Sequence, residues 1–123
     1  MAGNMILSTL SKTWIFDLDG TLVKHNGHKT EEGDSLLPGV KEYLDAIPVD
    51  DKIIIFTARE EKYRDLTCRF LNKKEIRYDK ICFGMPRGER IVVNDRKPSG
   101  LDMSVAINLD RDCFEMPEIV RDL

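Results

Sequence analysis

The sequence predicts an α/β domain built on a mostly parallel sheet. Three observations carry this. Short apolar runs alternate with segments of helical periodicity along the chain. The run Lys52–Phe56 (KIIIF) is apolar at successive positions, as a central parallel strand is. Three runs break abruptly into polar punctuation: IF into DLDGT, IIIF into TAR, and IVV into NDRK. In open sheets of this kind ligands bind beyond the carboxyl ends of the strands, and polar strand endings belong there.

The elements follow in chain order. Trp14–Phe16 is a short strand. The polar, glycine-containing stretch His25–Ser35 is a loop or a short hairpin flap. Pro38–Ile47 is helical, since Pro38 suits a first turn and Val40, Leu44 and Ile47 recur at helical spacing. After the strand Lys52–Phe56, Arg59–Lys74 forms a second helix with Tyr63, Leu66, Phe70 and Leu71 on one stripe. Ile81–Phe83, Ile91–Val93 and Val105–Leu109 are the remaining strands. Right-handed crossovers then bring the three polar strand endings to one edge of the sheet.

The 123 residues suffice for one domain with one core, spanning 1–123 with its centre at about 14–109. A formal charge of −3 implies no general affinity for nucleic acid. No apolar run approaches the length of a membrane span, and the N-terminal MAGNMILSTLSK lacks the basic and apolar regions of a signal peptide. Cys68, Cys82 and Cys113 are odd in number and far apart, which reads as reduced, buried thiols and a cytoplasmic location.

The strand endings hold the chemistry. Asp17 and Asp19 lie two residues apart, so in extended chain they face the same side, roughly 6.6 Å apart at about 3.3 Å per residue. Two close carboxylates repel unless a cation compensates, and Mg²⁺ suits oxygen ligands. A strand-end cap followed by a plain Asp19-Gly20 turn is the alternative. Thr57 offers a hydroxyl, and the N–H groups of Ala58 and Arg59 are suited to phosphate oxygens; a helix-capping role for Thr57 is the alternative. Asn94-Asp95 is either a turn or a third group of oxygens.

Taken in order, DLDGTL, FTAR and VVNDRK resemble the motifs of the haloacid dehalogenase superfamily, in its phosphatase branch, over about Trp14–Leu109. The resemblance implies a three-layer Rossmann-like sheet with helices on both faces. It implies Asp17 as the nucleophile that forms an aspartyl-phosphate, and Asp19 as the acid that protonates the leaving alcohol and then the base that activates water. Mg²⁺ would be held by the Asp17 side chain, the Asp19 carbonyl and Asp95, with Asn94 as a helper, and Thr57 would bind the phosphoryl group. The family cation before the last motif has no plain counterpart here. Arg87 on its Pro-Gly loop is favoured and Lys97 stands close behind, with Arg90 and Lys80 as further candidates.

The intervals between motifs are too short for a cap domain, so the site is expected to be capless and open. The flap supplies Lys24, His25, His28 and Lys29, of which Lys24 and His25 are the expected substrate contacts; a solvated hairpin is the alternative. Short bacterial members of capsule and surface-polysaccharide clusters are similar in layout. That similarity implies a small phosphorylated sugar, polyol or amino alcohol as substrate. The open site itself either accepts a large substrate or is completed by a homo-oligomer, and charge and composition imply no nucleic-acid or membrane partner. Two rival functions remain at this stage. One is a receiver-like signalling or binding module, which does not account for Asp19. The other is a phosphatase of nucleic-acid ends, which an open site permits.

Overall fold

The computed structural model describes residues 3–122. Its centre is a parallel sheet of three strands: β2 (Thr13–Asp17), β3 (Lys52–Phe56) and β4 (Lys80–Cys82), with β3 in the middle. β2 and β3 run in register from Thr13 opposite Lys52 to Asp17 opposite Phe56. The first acidic residue and the residue before Thr57 therefore end their strands side by side. Helix α1 (Val40–Ala46) connects β2 to β3 and α2 (Arg64–Lys73) connects β3 to β4, as a parallel sheet requires. A second pair, which the sequence did not lead us to expect, joins β1 (Asn4–Leu7) to β5 (Glu118–Arg121) in parallel.

The periodic segments fold much as their patterns predict. Val40, Leu44 and Ile47 are all buried. The second helical segment differs in detail. It opens with a 3-10 turn at Glu61–Tyr63 and turns Thr67 and Leu71 to the core, while Leu66 is 47% exposed. Thr67 is buried because its hydroxyl has a charged partner, described below.

Burial is uneven across the sheet. Ile53 and Ile55 are fully buried and join Phe16, Leu44, Leu71 and Ile81 in one core. Trp14 stacks on Phe16 with ring centroids 5.8 Å apart, and Tyr43 of α1 meets Trp14 edge-on. The alternate residues fare differently: Ile54 and Phe56 are half-buried and Ile15 is 46% exposed. β3 is thus central by position, yet only one of its faces is fully covered.

Below the strands, Asp51 organises the opposite end of the sheet. Its carboxylate, 1% exposed, accepts the Lys12 N–H at 2.9 Å, the Trp14 indole N–H at 3.0 Å and an Arg121 N–H at 2.6 Å. The last bond ties β5 to the base of the three-stranded sheet. Burial pushes the Asp51 pKa up, but these donors and the Arg121 charge outweigh it and hold the group below the usual carboxylate range.

Two expected strands do not form. Ile91–Val93 and Val105–Leu109 are irregular, and Ile91, Val92 and Val93 are 85%, 57% and 89% exposed. The β propensity of such residues expresses how well they fit a pleated, half-buried surface. Here Gly84, Pro86 and Gly88 lead into the run and Pro98 and Gly100 follow it. No strand pairs with it among the described residues. The three cysteines are free as expected, but they are half-buried, not buried. No helix among the described residues is long and apolar enough to cross a membrane.

Candidate active site

The loop after β2 turns sharply at Gly20. Its N–H donates to the Val23 carbonyl at 2.7 Å, and its φ of 81° is left-handed. A Cβ there would also lie 3.1 Å from the Arg111 side chain. The turn leaves Asp17 at the strand end and Asp19 just beyond it, and the two carboxylates take different arginines.

Asp17 is 36% exposed. One of its oxygens accepts from Arg90 at 3.1 Å and the other accepts the Thr21 hydroxyl at 3.1 Å. The cation at the first aspartate is therefore Arg90. The favoured Arg87 and Lys97 are exposed and make no contact with Asp17, and Lys80 is exposed on β4. The reason lies in the path of the chain. Without a strand at Ile91–Val93, the segment runs over the surface, and it is the residue just before that run that reaches the end of β2.

Asp19 is held by Arg59. The guanidinium donates to it through Nε at 2.9 Å and Nη2 at 2.8 Å. The same guanidinium donates to Asp34 through Nη1 at 2.9 Å and Nη2 at 2.7 Å, and to the Thr67 hydroxyl through Nη1 at 2.8 Å. Arginine has five N–H donors, and all are committed. The Arg59 side chain is 1% exposed and that of Asp34 2%. The sequence placed Arg59 at the substrate. The structure makes its side chain the centre of a buried clamp, with no donor left over for a phosphate. Burial opposes the charge on Arg59, yet the two carboxylates hold its pKa above the ordinary value. Burial likewise pushes Asp19 up, but the bonds and charge of Arg59 prevail, helped by His28 and the Asn26 N–H, so Asp19 lies below the usual carboxylate range.

Thr57 is buried at the end of β3. Its hydroxyl oxygen accepts the Arg59 N–H at 3.0 Å, so it fixes the backbone from which the clamp projects. The Ala58 N–H meets no acceptor among the described residues. The flap is not a solvated hairpin. Its base is closed by the Val23–Leu36 bridge and the Lys24 N–H to Ser35 carbonyl bond, and it folds His28 and Asp34 inward. Lys24 is exposed, and the His25 N–H is held by Asp112 at 2.7 Å. His28 is 3% exposed, with Nδ1 3.8 Å from Asp19 and no hydrogen-bond partner. Its ring meets Tyr63 edge-on at 4.7 Å. Burial and the Arg59 charge push its pKa down.

Asn94 and Asp95 do not join the other two strand endings. Both are exposed, and the Asn94 amide donates to the Asp95 carbonyl at 3.3 Å and its carboxylate at 3.4 Å. The third strand that would carry Asn94 and Asp95 to the sheet edge does not form, and the side chains of Asp17, Asp19 and Asp95 do not make one cluster among the described residues. Among the described residues, the one cluster of metal-ligating groups is Asp19, His28 and Asp34. The Arg59 guanidinium bonds both of its carboxylates, so a fixed cation already serves them. The Asp17 carboxylate is half-exposed, and the Asp19 carbonyl accepts no hydrogen bond among the described residues.

Asp34, Thr67 and Thr21 escaped the sequence reading, and His28 was named in the flap without its place beside Asp19. The one available signal was composition: the flap carries a buried-compatible mixture of His28 and Asp34 between glycines, and only the fold shows that it turns toward Arg59.

A carboxylate at the first strand end, a second one two residues on and a threonine at the neighbouring strand end, on a parallel α/β sheet, are the arrangement expected of a phosphatase of the haloacid dehalogenase type. The family model described as NLI interacting factor-like phosphatase matches residues 12–92. The chain belongs to that family, which is one of phosphoric monoester hydrolases of the haloacid dehalogenase type. Phosphatases of this type generally use Mg²⁺. A chain in the solved structure of the Pnkp1/Rnl/Hen1 complex is similar at 36% identity and a TM-score of 0.52, over 67% of this chain and 31% of that one. This chain therefore spans about a third of that neighbour. No curated protein resembles it closely enough to count as a match.

Proposed function

We propose that the protein hydrolyses a small phosphorylated sugar, polyol or amino alcohol by way of an aspartyl-phosphate on Asp17. The observation that supports this best is the division of labour between the two aspartates. Asp17 is half-exposed and open to an incoming phosphorus, while Asp19 is clamped in place one step behind it. Asp17 attacks phosphorus, the P–O bond to the alcohol breaks, and the alcohol oxygen takes from Asp19 a proton that Asp19 has taken up from solvent as the substrate binds. The approaching phosphate dianion is itself what raises the proton affinity of Asp19. Water then attacks the phosphoryl group with Asp19 as base, releasing phosphate and restoring Asp17. The Thr57 hydroxyl hydrogen and the Ala58 N–H are donors for the phosphoryl oxygens.

Three carboxylates, Asp17, Asp19 and Asp34, face two guanidinium groups here. A phosphate dianion brings further negative charge to a site already in deficit of positive charge. Mg²⁺ at the Asp17 carboxylate and Asp19 carbonyl would supply that charge and polarise the phosphoryl group. A cytoplasmic role in surface-polysaccharide synthesis, with a second copy of the chain over the open site, completes the proposal.

Likeness to a chain of the Pnkp1/Rnl/Hen1 complex favours a second reading, removal of phosphate from a nucleic-acid end. The acidic net charge weighs against it. The test is a panel of phosphorylated metabolites and 3′- and 5′-phosphorylated oligonucleotides with purified protein and Mg²⁺, together with mass analysis of acid-quenched enzyme. Turnover of sugar or polyol phosphates with a phosphorylated Asp17 peptide is expected. Preference for the oligonucleotides would replace the first reading with the second.

A further inference from the structure

We infer that Asp34, on the flap, is a positioning residue for the acid/base step at Asp19. This rests on the phosphatase reading of Asp17 and Asp19 above.

The observations are geometric. Asp34 is fifteen positions beyond Asp19 in the chain, yet both bond the same guanidinium, and Nη2 of Arg59 serves an oxygen of each. A guanidinium is planar and rigid, so fixing one edge fixes the other. Asp34 and Thr67 hold the far edge at 2.7, 2.9 and 2.8 Å, and the near edge presents Nε and Nη2 to Asp19 as a fork. Asp34 is 2% exposed and Thr67 1%. Water therefore does not compete for these bonds.

The flap supports Asp34 from behind. Gly27 lies against it: a Cβ at Gly27 would meet the Gly33 carbonyl at 3.1 Å and the Asp34 Cα at 3.3 Å. The same flap sets the buried His28 ring against Asp19 on another side. A chain of contacts thus runs from a surface flap through Asp34 and Arg59 to the carboxylate that handles the proton. Arg59 spends every donor on this chain, which is hard to understand if its role were to bind substrate. An acid or base displaced by an ångström from its reacting oxygen loses much of its effect, so the orientation of Asp19 is worth this much buried charge.

The experiment compares leaving groups. The kinetics of p-nitrophenyl phosphate, which departs without help from an acid, are set beside those of phenyl and 2-phenylethyl phosphate, which need it. Asp34→Asn is expected to lower kcat at least ten-fold on the two poor leaving groups and less than three-fold on p-nitrophenyl phosphate, with KM little changed. The double variant Asp19→Asn/Asp34→Asn is expected to be no slower than Asp19→Asn alone, because the two act as one unit. Thr67→Val, which removes only the fifth bond, is the milder companion should Asp34→Asn fail to fold; it is expected to show the same selectivity at about three-fold. Equal losses on all three esters, or multiplying losses in the double variant, overturn the positioning role while leaving Asp17 chemistry intact. Absence of turnover that depends on Asp17 overturns both.

Discussion

Replacing Arg59 with methionine removes the centre of a buried ionic network while keeping its bulk. The side chain is 1% exposed and donates to two carboxylates that are 17% and 2% exposed. Four of its five bonds are to charged groups. Removing one partner of a buried pair costs about 3–5 kcal/mol, because the charge left behind is uncompensated. Here two are left behind, and the upper part of that range applies. Native domains have only about 5–15 kcal/mol in hand, so a large part of the stability goes. With a urea slope of about 1–3 kcal/mol/M, the midpoint is expected to fall by about 2 M.

Trp14, the one tryptophan, stacks on core Phe16 and reports unfolding by fluorescence. Arg59→Lys keeps the charge but cannot form two forks, and about 1–3 kcal/mol is expected for it. The pH dependence supplies a second check. In the natural protein the folded Asp19 lies below its unfolded value, so the unfolded chain binds more protons and stability rises with pH through the carboxylate range. In Arg59→Met the burial that pushes Asp19 up is no longer offset by the guanidinium, so Asp19 lies above its unfolded value and stability falls as pH rises through the same window. A loss under 1 kcal/mol, or pH slopes of the same sign in both proteins, would refute the reasoning.

Four further outcomes are expected. Asp17→Asn abolishes turnover of p-nitrophenyl phosphate and the phosphoenzyme with it, at an unchanged urea midpoint; residual turnover above a thousandth would remove Asp17 as nucleophile. Arg90→Ala lowers kcat/KM about 10- to 100-fold, as loss of a charged bond of about 1.5–3 kcal/mol implies, and by more than Arg87→Ala or Lys97→Ala; steady-state kinetics of the three decide. Chelation removes activity and Mg²⁺ restores it, since the guanidinium groups leave the site short of positive charge. Asp51→Asn costs about 3–5 kcal/mol. The contribution of Asp51 is present above its unfolded carboxylate value and is lost as pH falls through its lower folded one. The variant's acid unfolding curve is therefore flatter than the parent's.

Much of the fold was legible in the residues. Val40, Leu44 and Ile47 announced a helix by their spacing, and KIIIF announced the central strand. Such signals are local, since one buried face imposes its period on the sequence. The place of Asp17 and Asp19 at a strand end was legible for the same reason: a short apolar run that breaks at D-x-D-G marks its own end. The cation was not. Arg87, Arg90 and Lys97 sit within eleven positions, and choosing among them needs the path of a segment whose apolar run finds no partner strand. Ile91–Val93 shows the limit from the other side, because β propensity names a residue's fit to a sheet without supplying the sheet.

The sequence by itself therefore determined the class of chemistry, two of the three strand endings expected to carry it and the buried face of the first helix. Tertiary structure alone decided which charges meet. Arg59 bonds Asp19 at forty positions' remove and Asp34 at twenty-five. Pairings at that range depend on how two strand ends and a flap are brought together, and no local pattern in the chain encodes them.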